Sequence, residues 1–167
     1  EYPQFEGHYY HIDRPINEPK GVQKPHIPLW IGGGGEKVTL KLVAQYGDGC
    51  NVGGGDLDLV KRKLEVLRAH CDAVGRNYDE ITRSTSMNVY LLNPGEDPEA
   101  ATAAARGSRS YEEYARDVWV GLPDQAISRL TPLLEAGINY VIVYLPRVAY
   151  DQEMVRYFAD SVMRHFE

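Results

Sequence analysis

Two glycine clusters are the part of this sequence whose residue types and spacing most directly suggest chemistry. The first glycine loop follows a short apolar run and consists of Gly32, Gly33, Gly34 and Gly35. The second glycine loop lies further along the chain and consists of Gly53, Gly54 and Gly55. Glycine is costly to order, so a chain keeps it where the backbone needs unusual angles or approaches another group closely. Each loop therefore fits either a phosphate cradle or a plain tight turn.

The residues just after the first glycine loop can likewise be interpreted either as part of an anion site or as an ordinary helix start. A helix that begins there would present free backbone N–H groups and the positive end of its dipole to an anion. Thr39 could offer its hydroxyl to the same anion, or it could be an ordinary surface threonine. Glu36 and Lys37 fit solvated residues of the first helical turn. The glycine spacing matches neither GxGxxG nor GxxxxGK[ST], so no established phosphate motif decides the question.

Polar side chains in or near predicted strands are further candidates for ligand contacts. Asn51 and Asn88 fall in strands, where each could contact a ligand or satisfy a nearby backbone group. Arg147 follows the last strand and could pair with an anionic group of a substrate. His8 and His11 are three residues apart in a predicted strand and point to opposite faces, so they cannot share a metal. No nucleophile–base pair or metal-ligand spacing is recognisable, so we assign no catalytic residues and expect no metal.

These candidates must be positioned by an alternation of strands and helices. Apolar and β-branched runs predict strands over residues 27–33, 50–52, 80–92 and 138–145. Amphipathic patterns predict helices over residues 36–46, 57–74, 123–136 and 151–166. Four strand–helix units with room for helical crossovers predict an α/β fold with a parallel sheet. Ligands bind at the carboxyl ends of such strands, where both glycine loops fall, and this favours phosphate binding over turns.

Two architectures fit four such units: an open doubly wound sheet, or half of an eight-stranded (β/α) barrel. The chain starts with Glu1 and has a proline-rich beginning, which suggests that it starts within a longer protein and favours the half-barrel. We expect residues 1–27 to form a hairpin and a connector, and residues 28–167 to form the half-barrel domain. A polar, alanine-rich excursion at about 93–122 is expected to contain short helices.

Composition limits the classes of partner. Hydrophobic residues make up 43% and charged residues 25% of the 167 residues, as in globular proteins. The net charge of −6 argues against a nucleic-acid or anionic-membrane surface. Cys50 and Cys71 do not form a disulfide framework, and Cys71 falls on the apolar stripe of a predicted helix. Without an apolar run long enough to span a membrane or a signal-peptide pattern, we expect a cytoplasmic protein.

Three separated stretches resemble the carboxy-terminal half of luciferase-like monooxygenases, most closely the coenzyme F420-dependent oxidoreductase branch. The stretches read FEGHYYHID, then GVQKPHIPLWIGGGGEKVTLKLVAQYGDGCN, then GLPDQAISRLTPLLEAGINYVIVYL. The resemblance implies a TIM-type (β/α)8 barrel in which the four units are strands five to eight. It implies coenzyme F420, or FMN as the alternative, with the cofactor phosphate held by Gly33, Gly34, Gly35, Gly53 and Gly54. It also implies that the excursion at 93–122 is the family's insertion over the pocket.

The resemblance also implies what this chain lacks. Family members carry strands one to four, with much of the ring-binding and catalytic apparatus, ahead of the point where this chain begins. We therefore expect a polypeptide that holds the cofactor tail, is inactive alone towards its small-molecule substrate, and pairs with another copy through exposed sheet edges. Two alternatives stay open. One is a non-catalytic, self-associating half-barrel, and the other is an autonomous doubly wound nucleotide-binding domain with Asp56 or Asp58 on the ribose.

Overall fold

Strands and helices alternate along residues 2–167, the part of the chain that the computed structural model describes. The expectation that rests on Glu1 lies outside the described residues. The strands are β1 (Gln4–Glu6), β2 (His11–Asp13), β3 (Trp30–Gly32), β4 (Gly49–Asn51), β5 (Thr82–Leu91), β6 (Trp119–Gly121) and β7 (Tyr140–Tyr144). The α-helices are α1 (Thr39–Tyr46), α2 (Leu57–Val74), α3 (Pro98–Arg106), α4 (Tyr111–Asp117), α5 (Pro123–Glu135) and α6 (Glu153–Ser161).

Five strands form one parallel sheet, which confirms the predicted α/β class. The long strand β5 is central: β4 pairs with its beginning, β7 with its middle, and the short β6 with its carboxyl end. β3 pairs with β4, so one row across the sheet contains Gly32, Asn51, Ser84 and Tyr140. β1 and β2 form a separate antiparallel hairpin.

Several element boundaries differ from the sequence predictions. The predicted strand at 27–33 is confined to Trp30–Gly32, because the prolines before it supply no N–H for a ladder. The first helix begins at Thr39 rather than at residue 36, since residues 36–38 form a turn that leads into it. The excursion at 93–122 contains the expected short helices but also β6, which the sequence did not predict. Three residues give no periodicity, and only the end of β5 provides their pairing partner.

Four helices, α1, α2, α5 and α6, pack on one face of the sheet. Helix α2 buries the residues expected from its spacing: Val60, Leu64, Leu67 and Cys71. They pack with α1, Cys50 of β4 and Leu133 of α5 in one core cluster. A second cluster joins Met87 and Val89 of β5 to Leu130 of α5 and Phe158 of α6. Burial of Cys71 is as predicted.

The opposite face of the sheet is open to solvent. Trp30, Tyr140 and Tyr144 lie on it and are about half exposed. Polar residues of β5, including Ser86 and Asn88, share this face, because side chains alternate along a strand and Met87 faces the helices. The sheet thus has one covered face and one uncovered face.

Within residues 2–167, no helix combines the length and the apolar character needed to cross a membrane.

Candidate functional site

Both glycine loops leave the sheet at the same edge. Gly32 is the last residue of β3, and it lies beside Asn51, the last residue of the neighbouring β4. Because the two strands are parallel, the loops that follow them start next to each other. The structure therefore places the two predicted clusters at adjacent strand ends.

The first glycine loop has a geometry that side chains would disturb. Gly33 has φ +111°, in the region that L-residues rarely adopt. A Cβ on Gly35 would lie 2.9 Å from Oγ1 of Thr39. The amides of Gly34 and Gly35 donate to no protein acceptor in the described part of the chain. The loop thus presents unpaired donors beside the Thr39 hydroxyl.

The start of helix α1 contributes fewer free donors than the sequence suggested. The N–H of Leu40 donates to the carbonyl of Gly35 at 3.0 Å, and the N–H of Leu42 donates to Val38. Among residues 2–167, no side chain caps this end of the helix. The Leu40 amide is therefore not available to a ligand, whereas the Gly34 and Gly35 amides of the preceding loop are.

Glu36 is not the solvated residue that the sequence suggested. Its Oε1 accepts from Nζ of Lys63 at 2.9 Å, and its Oε2 accepts from Nη2 of Arg62 at 3.0 Å. Its backbone carbonyl accepts from Nε2 of His70 at 2.8 Å. The hydrogen bond from Lys63, followed by that from Arg62, lowers the pKa of Glu36.

The second glycine loop is tied to the central strand. The hydroxyl of Thr85, a buried residue of β5, donates to the carbonyl of Gly53 and accepts from the N–H of Gly55, both at 3.3 Å. Gly53 has φ +69°, and a Cβ there would come within 3.1 Å of Val60. Among the described residues, no heavy atom lies within 4 Å of the Cβ position of Gly54, at the tip of the loop. A buried hydroxyl thus fixes the loop while its tip stays open.

A cleft of about 440 Å³ extends from the tip of the second glycine loop. Gly54 lines it with Ser86, Asn88 and Tyr144 from the uncovered face of the sheet, and with Arg129 of α5. Asn88 donates to the carbonyl of Asp117 at 3.0 Å, so its amide is at least partly engaged by the protein. The wall of the cleft consists largely of polar side chains.

The other polar candidates have different surroundings. Asn51 is half-buried at the end of β4, directly between the two loops. Arg147 lies beyond β7, on the far side of β5 from β4. Its Nη1 donates to the carbonyl of Ala104 in α3 at 3.2 Å. The structure therefore brings Asn51 to the glycine loops but does not bring Arg147 there.

The two aspartates that the nucleotide-binding alternative assigned to a ribose are a helix cap and an exposed helical residue. Asp56 caps helix α2, since its Oδ1 accepts from the N–H of Leu59 at 2.8 Å. Asp58 lies in the exposed first turn of the same helix. The packing of the four helices on one face also differs from a doubly wound sheet, which has helices on both faces.

His, Cys, Asp and Glu side chains are the groups that could hold a metal ion or act as nucleophiles. Among residues 2–167, no group of three or more His, Cys, Asp or Glu side chains is placed to hold a metal ion. His11 pairs with Glu6 in the hairpin, remote in sequence from the loops. Burial raises the pKa of the Cys50 thiol to about 11, so at neutral pH it is protonated and a poor nucleophile.

Three residues around the loops were missed by sequence reasoning: Lys63, His70 and Thr85. Lys63 and His70 are seven residues apart, two helical turns, and therefore lie on one side of α2. That spacing was visible in the sequence, but their partner in a distant loop was not. Nothing in the sequence indicated that Thr85 contacts the second glycine loop, because threonine is common in strands.

Comparison with known proteins identifies the family of this chain. The sequence profile of the luciferase-like monooxygenases matches residues 1–156. The chain therefore belongs to the luciferase-like monooxygenase family.

One similar relative is the F420-dependent glucose-6-phosphate dehydrogenase of Mycolicibacterium gilvum (strain PYR-GCK), which is 26% identical over 85% of this chain and 49% of its own length. The chain spans about half the length of the curated relatives it matches.

Solved structures have the same fold at low sequence identity. The coenzyme F420-dependent tetrahydromethanopterin reductase from Methanopyrus kandleri is 16% identical with a TM-score of 0.75, over 98% of this chain and 58% of that one. The monooxygenase RslO1 from Streptomyces bottropensis is 19% identical with a TM-score of 0.76, over 100% of this chain and 56% of that one. The fold of this chain is therefore an α/β fold similar to that of luciferase-like enzymes.

Proposed function

We propose that this chain is the phosphate-holding part of a deazaflavin-dependent oxidoreductase, with coenzyme F420 as its cofactor and FMN as the alternative. The observation that carries the proposal is the pair of glycine loops at adjacent strand ends, one of which has unpaired amides at Gly34 and Gly35. Such amides suit phosphate oxygens, which accept several N–H donors at once. The F420-dependent relatives support the choice of cofactor.

The residues around the loops fit a bound phosphate. Gly32 and Gly54 leave open space where a side chain would stand, and Thr39 places a hydroxyl beside Gly35. The charge of Glu36 is offset by Lys63 and Arg62, so its carboxylate does not leave the loop with a net negative charge. Asn51, between the loops, is suited to a polar contact with the same ligand. When bound, the cofactor ring supplies the hydride-transfer chemistry, and these residues only hold and orient its tail.

We propose further that β3, β4, β5 and β7 are strands five to eight of a (β/α)8 barrel. One line of support is that the helices cover only one face of a parallel sheet, because parallel sheets are normally buried on both faces. The other is the aromatic pair on the uncovered face. Neighbouring strands lie about 4.8 Å apart, so β3 and β7 would be about 14 Å apart in a flat sheet. The side chains of Trp30 and Tyr140 bridge the space between these strands with ring centroids 5.6 Å apart, as bulky side chains that fill a barrel interior would.

On this proposal the uncovered face lines the barrel interior. Catalytic turnover then also requires strands one to four of the barrel. Arg147 remains our candidate for an anionic group of the substrate. It lies after the last strand, at the carboxyl end of the sheet, where substrates of barrel enzymes bind. The curated relatives are named for a phosphorylated sugar substrate, which is consistent with a cationic group in this region.

Titration of FMN, riboflavin and coenzyme F420 into the protein, followed by ligand fluorescence, tests the proposal. We expect FMN or F420 to bind and riboflavin to bind at least about tenfold more weakly, because it lacks the phosphate. Gly53→Ala should weaken FMN binding. Gly75→Ala is the matched control, since Gly75 has nearly the same φ (+70° against +69°) but ends α2 away from the loops. Binding of neither cofactor, or equal binding of FMN and riboflavin, contradicts the proposal.

The second candidate function is self-association through the uncovered face. Trp30, Tyr140 and Tyr144 supply exposed aromatic surface, and β3 and β7 each pair on one side only among the described strands. Two copies could close these edges against each other, β3 of one on β7 of the other. Sedimentation equilibrium tests this idea. A dimer that Trp30→Ser dissociates supports it, and a monomer at all accessible concentrations contradicts it.

A further inference from the structure

The segment that follows the first glycine loop is held by three side chains of helix α2. The Glu36 carboxylate accepts from Arg62 and Lys63, and the Glu36 carbonyl accepts from His70. Carbonyl oxygens only accept, so Nε2 of His70 carries the proton in this contact. Glu36 is thus bound to α2 through both its side chain and its backbone.

The contact is more enclosed than a typical surface ion pair. The side chain of Lys63 is only 14% exposed and that of Glu36 26%, whereas Arg62 is 69% exposed. Solvated ion pairs contribute little, but charge-assisted hydrogen bonds shielded from water hold their geometry better. Lys63 is therefore the main partner, and Arg62 is a secondary one.

Lys63 also touches the glycine loop. Its Cε lies 3.5 Å, and its Nζ 3.9 Å, from the position that a Cβ of Gly34 would take. The Lys63 stem therefore packs along the loop while its ammonium group reaches past Gly34 to Glu36. Glycine is the most flexible residue, so a run of four needs such external support to keep one conformation.

We infer that Glu36 is a positioning residue, which clamps the first glycine loop to α2 and so fixes the directions of the Gly34 and Gly35 amides. This inference rests on the proposed function for its consequence in cofactor binding. The clamp itself is a property of the ligand-free chain. Glu36 would act through Lys63 and His70, without touching the ligand.

Hydrogen–deuterium exchange of the ligand-free protein tests the clamp. Glu36→Gln keeps the shape of the side chain but removes its charge. The amides of Leu40 and Leu42 report on this segment, because they donate to the carbonyls of Gly35 and Val38. We expect their exchange to accelerate by about tenfold, with α2 unchanged. Lys63→Met should give the same acceleration, and the double variant should add little to either single change, because both remove one interaction. Glu65→Gln, a charge removal on the exposed side of α2, is the matched control and should change nothing.

FMN titration of the same variants tests the positioning role. The dissociation constant for FMN should change only if Glu36 orients the loop for the ligand. We expect the dissociation constant to rise about tenfold in Glu36→Gln while the melting temperature stays near that of the Glu65→Gln control. Unchanged exchange of the Leu40 and Leu42 amides overturns the clamp. Faster exchange with unaltered FMN affinity overturns its positioning role. If the unmodified protein binds neither FMN nor F420, the proposed function falls, and the exchange experiment alone still decides the clamp.

Discussion

The indole of Trp30 meets the ring of Tyr140 edge to face across the uncovered side of the sheet, with ring centroids 5.6 Å apart. Gly49 makes this contact possible. It lies beside Trp30 in the neighbouring strand, and a Cβ there would stand 2.7 Å from Cε2 of the indole. The contact ties β3 to β7, the last strand in sequence.

Gly49→Ala should therefore destabilise the fold. The added methyl must displace the Trp30 ring, and overpacking of this kind costs about 2 kcal/mol. Gly54→Ala is the control, because its methyl would meet no heavy atom of residues 2–167 within 4 Å. Urea unfolding followed by circular dichroism measures both. Equal midpoints for the two variants would show that the Trp30 position is not constrained by Gly49.

Thr85→Val should loosen the second glycine loop. Valine keeps the shape of threonine but removes the hydroxyl that bridges Gly53 and Gly55, which leaves a carbonyl and an N–H without their partner at a cost of about 1–2 kcal/mol. We expect faster exchange of the Gly55 amide, which donates to this hydroxyl, and weaker FMN binding. Thr131→Val, which removes a hydroxyl contact within α5, is the control for loss of a hydroxyl elsewhere. Equal FMN affinity in the Thr85 and Thr131 variants would argue against a role of the loop in binding.

Local signals explain which parts of this structure the sequence predicts. Helix α2 could be placed from its apolar spacing, with Asp56 as N-cap and Gly75 in the left-handed conformation at its end. All of these are properties of neighbouring residues. The parallel sheet followed from the order of strands and helices.

Long-range pairing explains what the sequence did not predict. Glu36 was interpreted as a solvated residue because its partners Lys63 and His70 belong to another helix. Strand β6 gives no pattern of its own and exists because the carboxyl end of β5 offers an unpaired edge. The glycine loops were predicted as a candidate site, but which amides are unpaired depends on backbone contacts such as Leu40 to Gly35.

Arg83→Met should be among the most destabilising single changes. The nearly buried Arg83 guanidinium donates to the carbonyls of Gly137, Tyr78 and Ile81, and it joins β5 to the turns on either side. Methionine would leave these acceptors unpaired, at a cost of about 3 kcal/mol or more.

Arg68→Met is the matched control for the Arg83 change. Arg68 stacks on the same Tyr78 ring at 3.9 Å but is exposed, so its loss should cost less than about 1 kcal/mol. Thermal unfolding of the two variants measures the difference. Similar melting temperatures would contradict the structural role assigned to the Arg83 hydrogen bonds.

Both cysteines should be protected from alkylation in the folded protein. Cys50 and Cys71 are fully buried, and burial raises the pKa of both thiols, that of Cys50 to about 11. The thiolate is the reactive form, so iodoacetamide at about pH 7.5 should modify neither residue. Both should be modified in urea. Mass spectrometry reads the result, and labelling of Cys50 under native conditions would show that the core around β4 opens readily.

Amide chemical-shift mapping with FMN and riboflavin tests the central claim most directly. In ¹⁵N-labelled protein, FMN should shift the amide resonances of the two glycine loops, with the largest changes at Gly34, Gly35 and Gly54. Riboflavin, which lacks the phosphate, should leave these resonances nearly unmoved. FMN-induced shifts that spare both loops, or equal shifts with both ligands, would contradict a phosphate site built from the two glycine loops.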